Sequence, residues 1–170
     1  TRDFRGQLLT STTYASVDAS GNGVSDGSQA TTRYVYDQHG RLLKSIDARN
    51  ETIADPNSFV TSYSYDAFDR VLAKNAPLAQ QTLFQYDDAH NKIVSLLANG
   101  LATTQTFDRA GELTSVIQSN AGATQVLGQA KNYFDANGRL VTTQDPTGVR
   151  RHFIFDEAGR KVGEIDGTGA

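Results

Sequence analysis

An aspartate preceded by aromatic residues and followed three places later by a turn-forming residue returns along the whole chain, and this recurrence restricts the fold more than any other feature. It is plainest in "RYVYDQHGRLLKSID", Arg33 to Asp47, and comes back as "SYSYDAFDRVLA", "LFQYDDAHNKIV", "QTFDRAGELTSV", "NYFDANGRLVTT" and "FIFDEAGRKVGE". The motif aspartates are Asp3, Asp37, Asp66, Asp87, Asp108, Asp135 and Asp156, at intervals of 34, 29, 21, 21, 27 and 21 residues. A base period of 21 interrupted by insertions of 13, 8 and 6 residues is the mark of a repeat array.

Each unit reads as two strands around a tight turn. Side chains two apart on a strand share a face, so Tyr34 and Tyr36, Tyr63 and Tyr65, Phe84 and Tyr86, and Phe153 and Phe155 each set two rings on one face. Phe107 and Phe134 keep the ring next to the aspartate, while Gln105 and Asn132 replace the first aromatic of their units. Asp37 can accept hydrogen bonds from backbone N–H groups just beyond it, and Gly40 takes positive φ cheaply; Gly111, Gly138 and Gly159 occupy the same place. Asp69 and His90 stand where the glycine is expected, both tolerant of the left-handed region.

Turns are therefore expected near residues 3–6, 37–40, 66–69, 87–90, 108–111, 135–138 and 156–159, the first unit being the most degenerate. Leu, Val, Ile and Thr follow each turn, as strands prefer, with Leu42, Val71, Leu113 and Leu140 placed to knit neighbouring strands together. The outer connections carry the length variation: Asn50 to Ser58 with Asp55 and Pro56, Asn75 to Ala79 around Pro77, Ser119 to Ala123, and Asp145 to Gly148.

Composition narrows the function classes. The net charge is −3 from interspersed charges and mean hydropathy is −0.46, so no basic patch for nucleic acid or anionic membrane is present. No apolar run approaches a membrane span, and zero cysteines exclude disulfides, a thiolate nucleophile and Cys-ligated metal. A chain starting at Thr1 with no Met is expected to be a piece of a longer protein. At 170 residues it could still bury a sizeable core.

Candidate chemistry is sparse. The aspartates fall one per repeat along a rim, with no pair forced to the short separation hydrolytic catalysis needs, so their expected role is turn formation. His39, His90 and His152 share no metal-ligand spacing, and no G-x-S-x-G, P-loop or G-x-G-x-x-G turn is present. "DASGNGVSDGSQ", Asp18 to Gln29, places Asp18, Ser20, Asn22 and Asp26 at positions 1, 3, 5 and 9 of a calcium-type loop with Gly23 at position 6. Gln29 stands where the bidentate Glu belongs, and the expected reading is a hairpin tip inserted over 18–29. No enzyme activity, cofactor or metal is expected.

Six good units, from Tyr36-Asp37 to Phe155-Asp156 with the following Gly-Arg or its variants, resemble the YD repeat, also called the RHS repeat, of bacterial RHS-type polymorphic toxins, the C components of insecticidal toxin complexes, and animal teneurins. The resemblance covers nearly the whole chain. It implies an all-β fold, an array of antiparallel β-hairpins forming a curved, spiralling sheet that is a section of a shell. It further implies an exported, secreted or cell-surface parent, bacterial in origin, whose shell encloses a C-terminal toxin or effector domain. The implied partners are flanking repeats of the same chain, that enclosed domain and a delivery apparatus. In the toxin families a "DPxGLxGG"-like region ends the shell; Asp145-Pro146-Thr147-Gly148-Val149 matches only its start, Arg150 and Arg151 depart from it, and no protease residue is carried over. The alternative is a cell-surface adhesion or carbohydrate-binding module whose variable loops carry specificity.

Overall fold

The computed structural model describes residues 1–49 and 58–167. The outer loop expected at Asn50 to Ser58, with Asp55 and Pro56, lies outside the described residues apart from Ser58.

The described residues form thirteen strands: β1 Thr10–Thr13, β2 Ala30–Tyr36, β3 Leu42–Ile46, β4 Val60–Tyr65, β5 Val71–Ala76, β6 Gln80–Asp87, β7 Lys92–Leu97, β8 Leu101–Phe107, β9 Leu113–Asn120, β10 Val126–Phe134, β11 Leu140–Gln144, β12 Arg150–Phe155 and β13 Lys161–Ile165. They lie in chain order in one antiparallel sheet, each strand beside its sequence neighbour. By internal contacts the chain divides into two units, Thr1–Leu83 and Phe84–Ala170. In the first, the degenerate "RDFRGQLLT" unit has only an isolated bridge, Arg2 to Leu8, ahead of β1, but it forms the repeat turn at Asp3, whose Oδ1 accepts the Arg5 and Gln7 N–H groups, with Gly6 at φ of 82°.

A chain of this length could bury a sizeable core, but the array of hairpins does not build one among the described residues. Among the described residues only Ala102 and Ser119 are buried, at 5% and 3% exposure, and they face each other across β8 and β9. Both faces of the strands keep partial contact with solvent, so the backbone ladder and neighbouring side chains must supply what a packed second layer supplies elsewhere.

A periodic irregularity lies just past the turns. Tyr36 faces Leu42 but Val35 faces Lys44, which leaves Leu43 without an opposite residue. The same slip leaves Leu72, Thr114, Val141 and Val162 unopposed, each six places after its motif aspartate. Such a β-bulge raises local twist, and its recurrence at one repeat position makes it part of the unit.

The connection between β5 and β6 is strained. Leu78 and Ala79 have φ of 61° and 57°, and Leu78 is 87% exposed. A left-handed conformation costs an L-residue roughly 1–2 kcal/mol. The double substitution Leu78→Asn, Ala79→Gly places there the pair that such turns prefer, and an increase of about 1 kcal/mol in urea-unfolding stability is expected.

Candidate functional site

One hydrogen-bond pattern builds each turn. In Asp135–Arg139, the Asp135 N–H donates to the Arg139 carbonyl at 3.0 Å and the Gly138 N–H donates to the Asp135 carbonyl at 3.0 Å. Asp135 Oδ1 accepts the Asn137 and Arg139 N–H groups at 2.9 and 3.0 Å, while Oδ2 accepts Arg139 Nε–H at 2.7 Å. Gly138 takes φ of 76°, closing a type I turn with a left-handed fourth residue. Asp37 and Asp66 repeat the scheme with Arg41 and Arg70. Asp108 and Asp156 keep its backbone half, Asp156 adding Arg160. Asp69 takes φ of 64° in place of glycine.

The Asp87 turn departs from the expectation. His90 is not the left-handed residue; Asn91 is, with φ of 50°. Here β6 continues through Asp87, so the chain reverses one residue later and the short amide side chain takes the position. His90 Nδ1 instead contacts Asp87 Oδ2 at 2.7 Å.

Two further aspartates adopt the repeat turn without a preceding aromatic. Asp145 Oδ1 accepts the Thr147 and Val149 N–H groups, and Gly148 takes φ of 92°, so the outer "DPTGV" connection has the inner-turn geometry. Asp18 Oδ1 accepts the Ser20 and Asn22 N–H groups at 2.8 and 2.9 Å and Oδ2 accepts Asn22 Nδ2–H at 3.2 Å, with Gly21 at φ of 83°. Asp26 forms its own turn with Ser28, whose N–H and hydroxyl it accepts. Asp18, Ser20 and Asn22 thus build one turn and Asp26 another; among the described residues no group of three His, Asp or Glu side chains is arranged for a metal ion.

These environments shift the carboxylates. The N–H four residues on is the largest cause holding Asp18, Asp108, Asp135 and Asp156 below the ordinary aspartate range. At Asp37 and Asp66 partial burial pushes upward, and the N–H and guanidinium of Arg41 and Arg70 more than offset it. Asp47 is held at about 2 by the hydrogen bonds of the Arg49 side chain and N–H. Carboxylates committed to such donors are poor proton acceptors near neutral pH.

Side chains also tie several hairpins to the next. Gln7 Nε2–H donates to the Gly40 carbonyl at 3.0 Å, and Arg5 Nη1–H to the Gln38 carbonyl at 3.1 Å. Arg41 donates to Asp69 Oδ1 at 2.7 Å and lies over the Tyr65 ring at 4.9 Å; Arg139 lies over Phe155 at 5.2 Å. The Tyr36 hydroxyl donates to the Leu8 carbonyl at 3.1 Å and that of Tyr65 to the Leu42 carbonyl at 2.7 Å, in each case five residues past the preceding motif aspartate.

Phe134 has no hydroxyl to repeat this tie. Asn132, read from sequence as a lost aromatic, supplies the donor instead, its Nδ2–H reaching the Leu113 carbonyl at 2.9 Å. Tyr65→Phe and Asn132→Ala are each expected to lower unfolding stability by about 1 kcal/mol, measured in urea, the net value of one such bond.

Residues 134–170 match the protein-family model described as RHS Repeat. Solved structures similar to the chain include a crystal structure of TcdB2-TccC3-TEV, 16% identical, covering 97% of this chain and 11% of that chain with a TM-score of 0.39. A Photorhabdus luminescens Tc holotoxin pore carrying a TccC3 substitution is 16% identical, covering 95% of this chain and 11% of that chain with a TM-score of 0.39. The chain thus spans about a ninth of the length of the solved chains it matches. No curated protein matches the sequence.

Proposed function

We propose that this chain, whose residues 134–170 match the RHS-repeat model, is a length of wall in a shell that encloses a toxin or effector domain of a larger, exported bacterial protein. The observation that carries the reading is the direction of the side-chain ties. Gln7, Arg41, Tyr36, Tyr65 and Asn132 all extend from one hairpin to a neighbouring one, so the functional groups of the repeat serve its own propagation. Units that bond mainly to their neighbours extend in one dimension, and further repeats continue the ladder at the open edges.

Enclosure works without a reactive group. A continuous backbone ladder separates what lies on its two sides, and the motif carboxylates, already bonded to their own turns, have no acid or base step to perform. The flanking repeats, the enclosed domain and a delivery apparatus are the partners this role requires.

Protease protection in the full-length protein tests it. A protease site engineered into the domain that follows the array should resist cleavage in the native protein and be cut once the array is unfolded. Equal cleavage in both states, or a parent with no further domain to enclose, would overturn the proposal.

A further inference from the structure

The rim of turns has one joint of the wrong polarity. Four places after the motif aspartate the chain carries Gln7, Arg41, Arg70, Arg139 and Arg160 as donors, but Glu112 after Asp108. Where Gln7 donates to the Gly40 carbonyl and Arg41 reaches the next turn at Asp69, Glu112 presents a carboxylate. It is half-buried and lies against the following turn, since a Cβ built on Gly138 would stand 2.6 Å from Glu112 Oε1.

The charged groups facing it are acidic on both sides. On its own turn stands Asp108, whose Oδ1 already accepts the Ala110 and Glu112 N–H groups. Across the joint stands Asp135, with Arg139 held by Asp135 Oδ2 at 2.7 Å and lying over Phe155 at 5.2 Å. Partial burial, a hydrogen bond with the Asp108 carboxyl, and the charges of Asp108 and Asp135 together push Glu112 above the ordinary glutamate range.

We propose that the joint between the Asp108 and Asp135 turns is an acid-tightened seam: Glu112 closes the rim when it holds a proton and loosens it when it is ionised. The proton makes Glu112 a donor beside Gly138, the position equivalent to Gly40, whose carbonyl accepts from Gln7 at its own joint. Without it, three carboxylates meet where one hairpin passes to the next. The sign is opposite to that of the turn aspartates. A raised acid contributes stability that is fully present below its unfolded value and is lost as pH rises through its folded value. This seam therefore loosens on going from mild acid to neutrality, whereas the aspartate turns weaken only on going further into acid.

Hydrogen exchange across this joint distinguishes the two. In the full chain, amide protection at Gly111 and Gly138, corrected for the intrinsic pH dependence of exchange, is expected to fall severalfold between pH 4.5 and pH 7. Glu112→Gln should hold protection at its acid level throughout, and Glu112→Arg should remove the pH dependence in the same window. Protection in the native sequence that is flat with pH, or equal to that of Glu112→Gln at neutrality, would overturn the proposal. A Glu112 carboxyl carbon-13 titration at the ordinary glutamate value would overturn it too.

Discussion

Valine in place of Gly111 is expected to lower unfolding stability by about 2 kcal/mol, the upper end of the cost of forcing an L-residue left-handed, because β-branching narrows that region further. Gly111 has φ of 86°, and a Cβ built there meets nothing within 4 Å, so the loss is backbone strain alone. At Gly138, with φ of 76°, the same substitution adds the approach to Glu112 Oε1 and should cost at least as much. Gly122→Ala supplies the control, having no positive φ and only an ordinary contact with Thr124 at 3.7 Å. Asparagine at Gly111 should retain most of the stability, as Asn91 occupies the left-handed position of its own turn. Urea unfolding of the four variants checks the order; equal loss for Gly111→Val and Gly122→Ala would remove the turn from the account.

Acid is expected to unravel the array through many sites at once. Asp18, Asp37, Asp66, Asp108, Asp135, Asp145 and Asp156 are all held below the ordinary value of 3.8, and Asp47 at about 2. A carboxylate depressed in the folded state contributes stability that is present above its unfolded value and lost as pH falls through its folded value. The stability these aspartates contribute should therefore hold above about pH 4 and decline progressively toward pH 2, the window they span. Circular dichroism during acid titration reads it directly. Because the donors are largely backbone N–H groups, added salt should move the midpoint only slightly; a large salt shift would mean that the arginine pairs dominate instead.

The repeat was legible because its chemistry is local. An aspartate and a glycine at fixed spacing determine a turn within five residues, and the aromatic and aliphatic runs on either side are strand material whatever they pack against. That logic holds where its wording changes: Asp18 with Gly21, and Asp145 with Gly148, satisfy it without an aromatic before them. Alternate oxygen side chains in the Asp18 stretch suit both a turn and a metal loop, and the hydrogen bonds Asp18 makes are those of the repeat turn. The bulges carry no such signature. Leu43, Leu72, Thr114, Val141 and Val162 are ordinary strand residues, and the slip at each follows from how the twisted strands pair beyond the turn.

Ties between hairpins were the least legible part, since they depend on which side chains become neighbours across strands. Asn132 reads as a defect in the aromatic pattern and acts as the donor that Phe134 lacks. His90 reads as the turn residue, and the extra residue of β6 passes that role to Asn91. Glu112 reads as one more polar residue after a glycine, and its meaning emerges only beside Asp135. The proposed enclosing role has a different origin, in the resemblance carried by the YD units and the RHS-repeat match at 134–170.

Electron cryomicroscopy of the full-length parent protein tests the central claim most directly. The account predicts that these hairpins appear as consecutive members of a continuous wall, each bonded to the next, bordering a cavity that holds density for another domain of the same chain. Hairpins standing apart from any cavity, with solvent on both faces of the sheet, would contradict it.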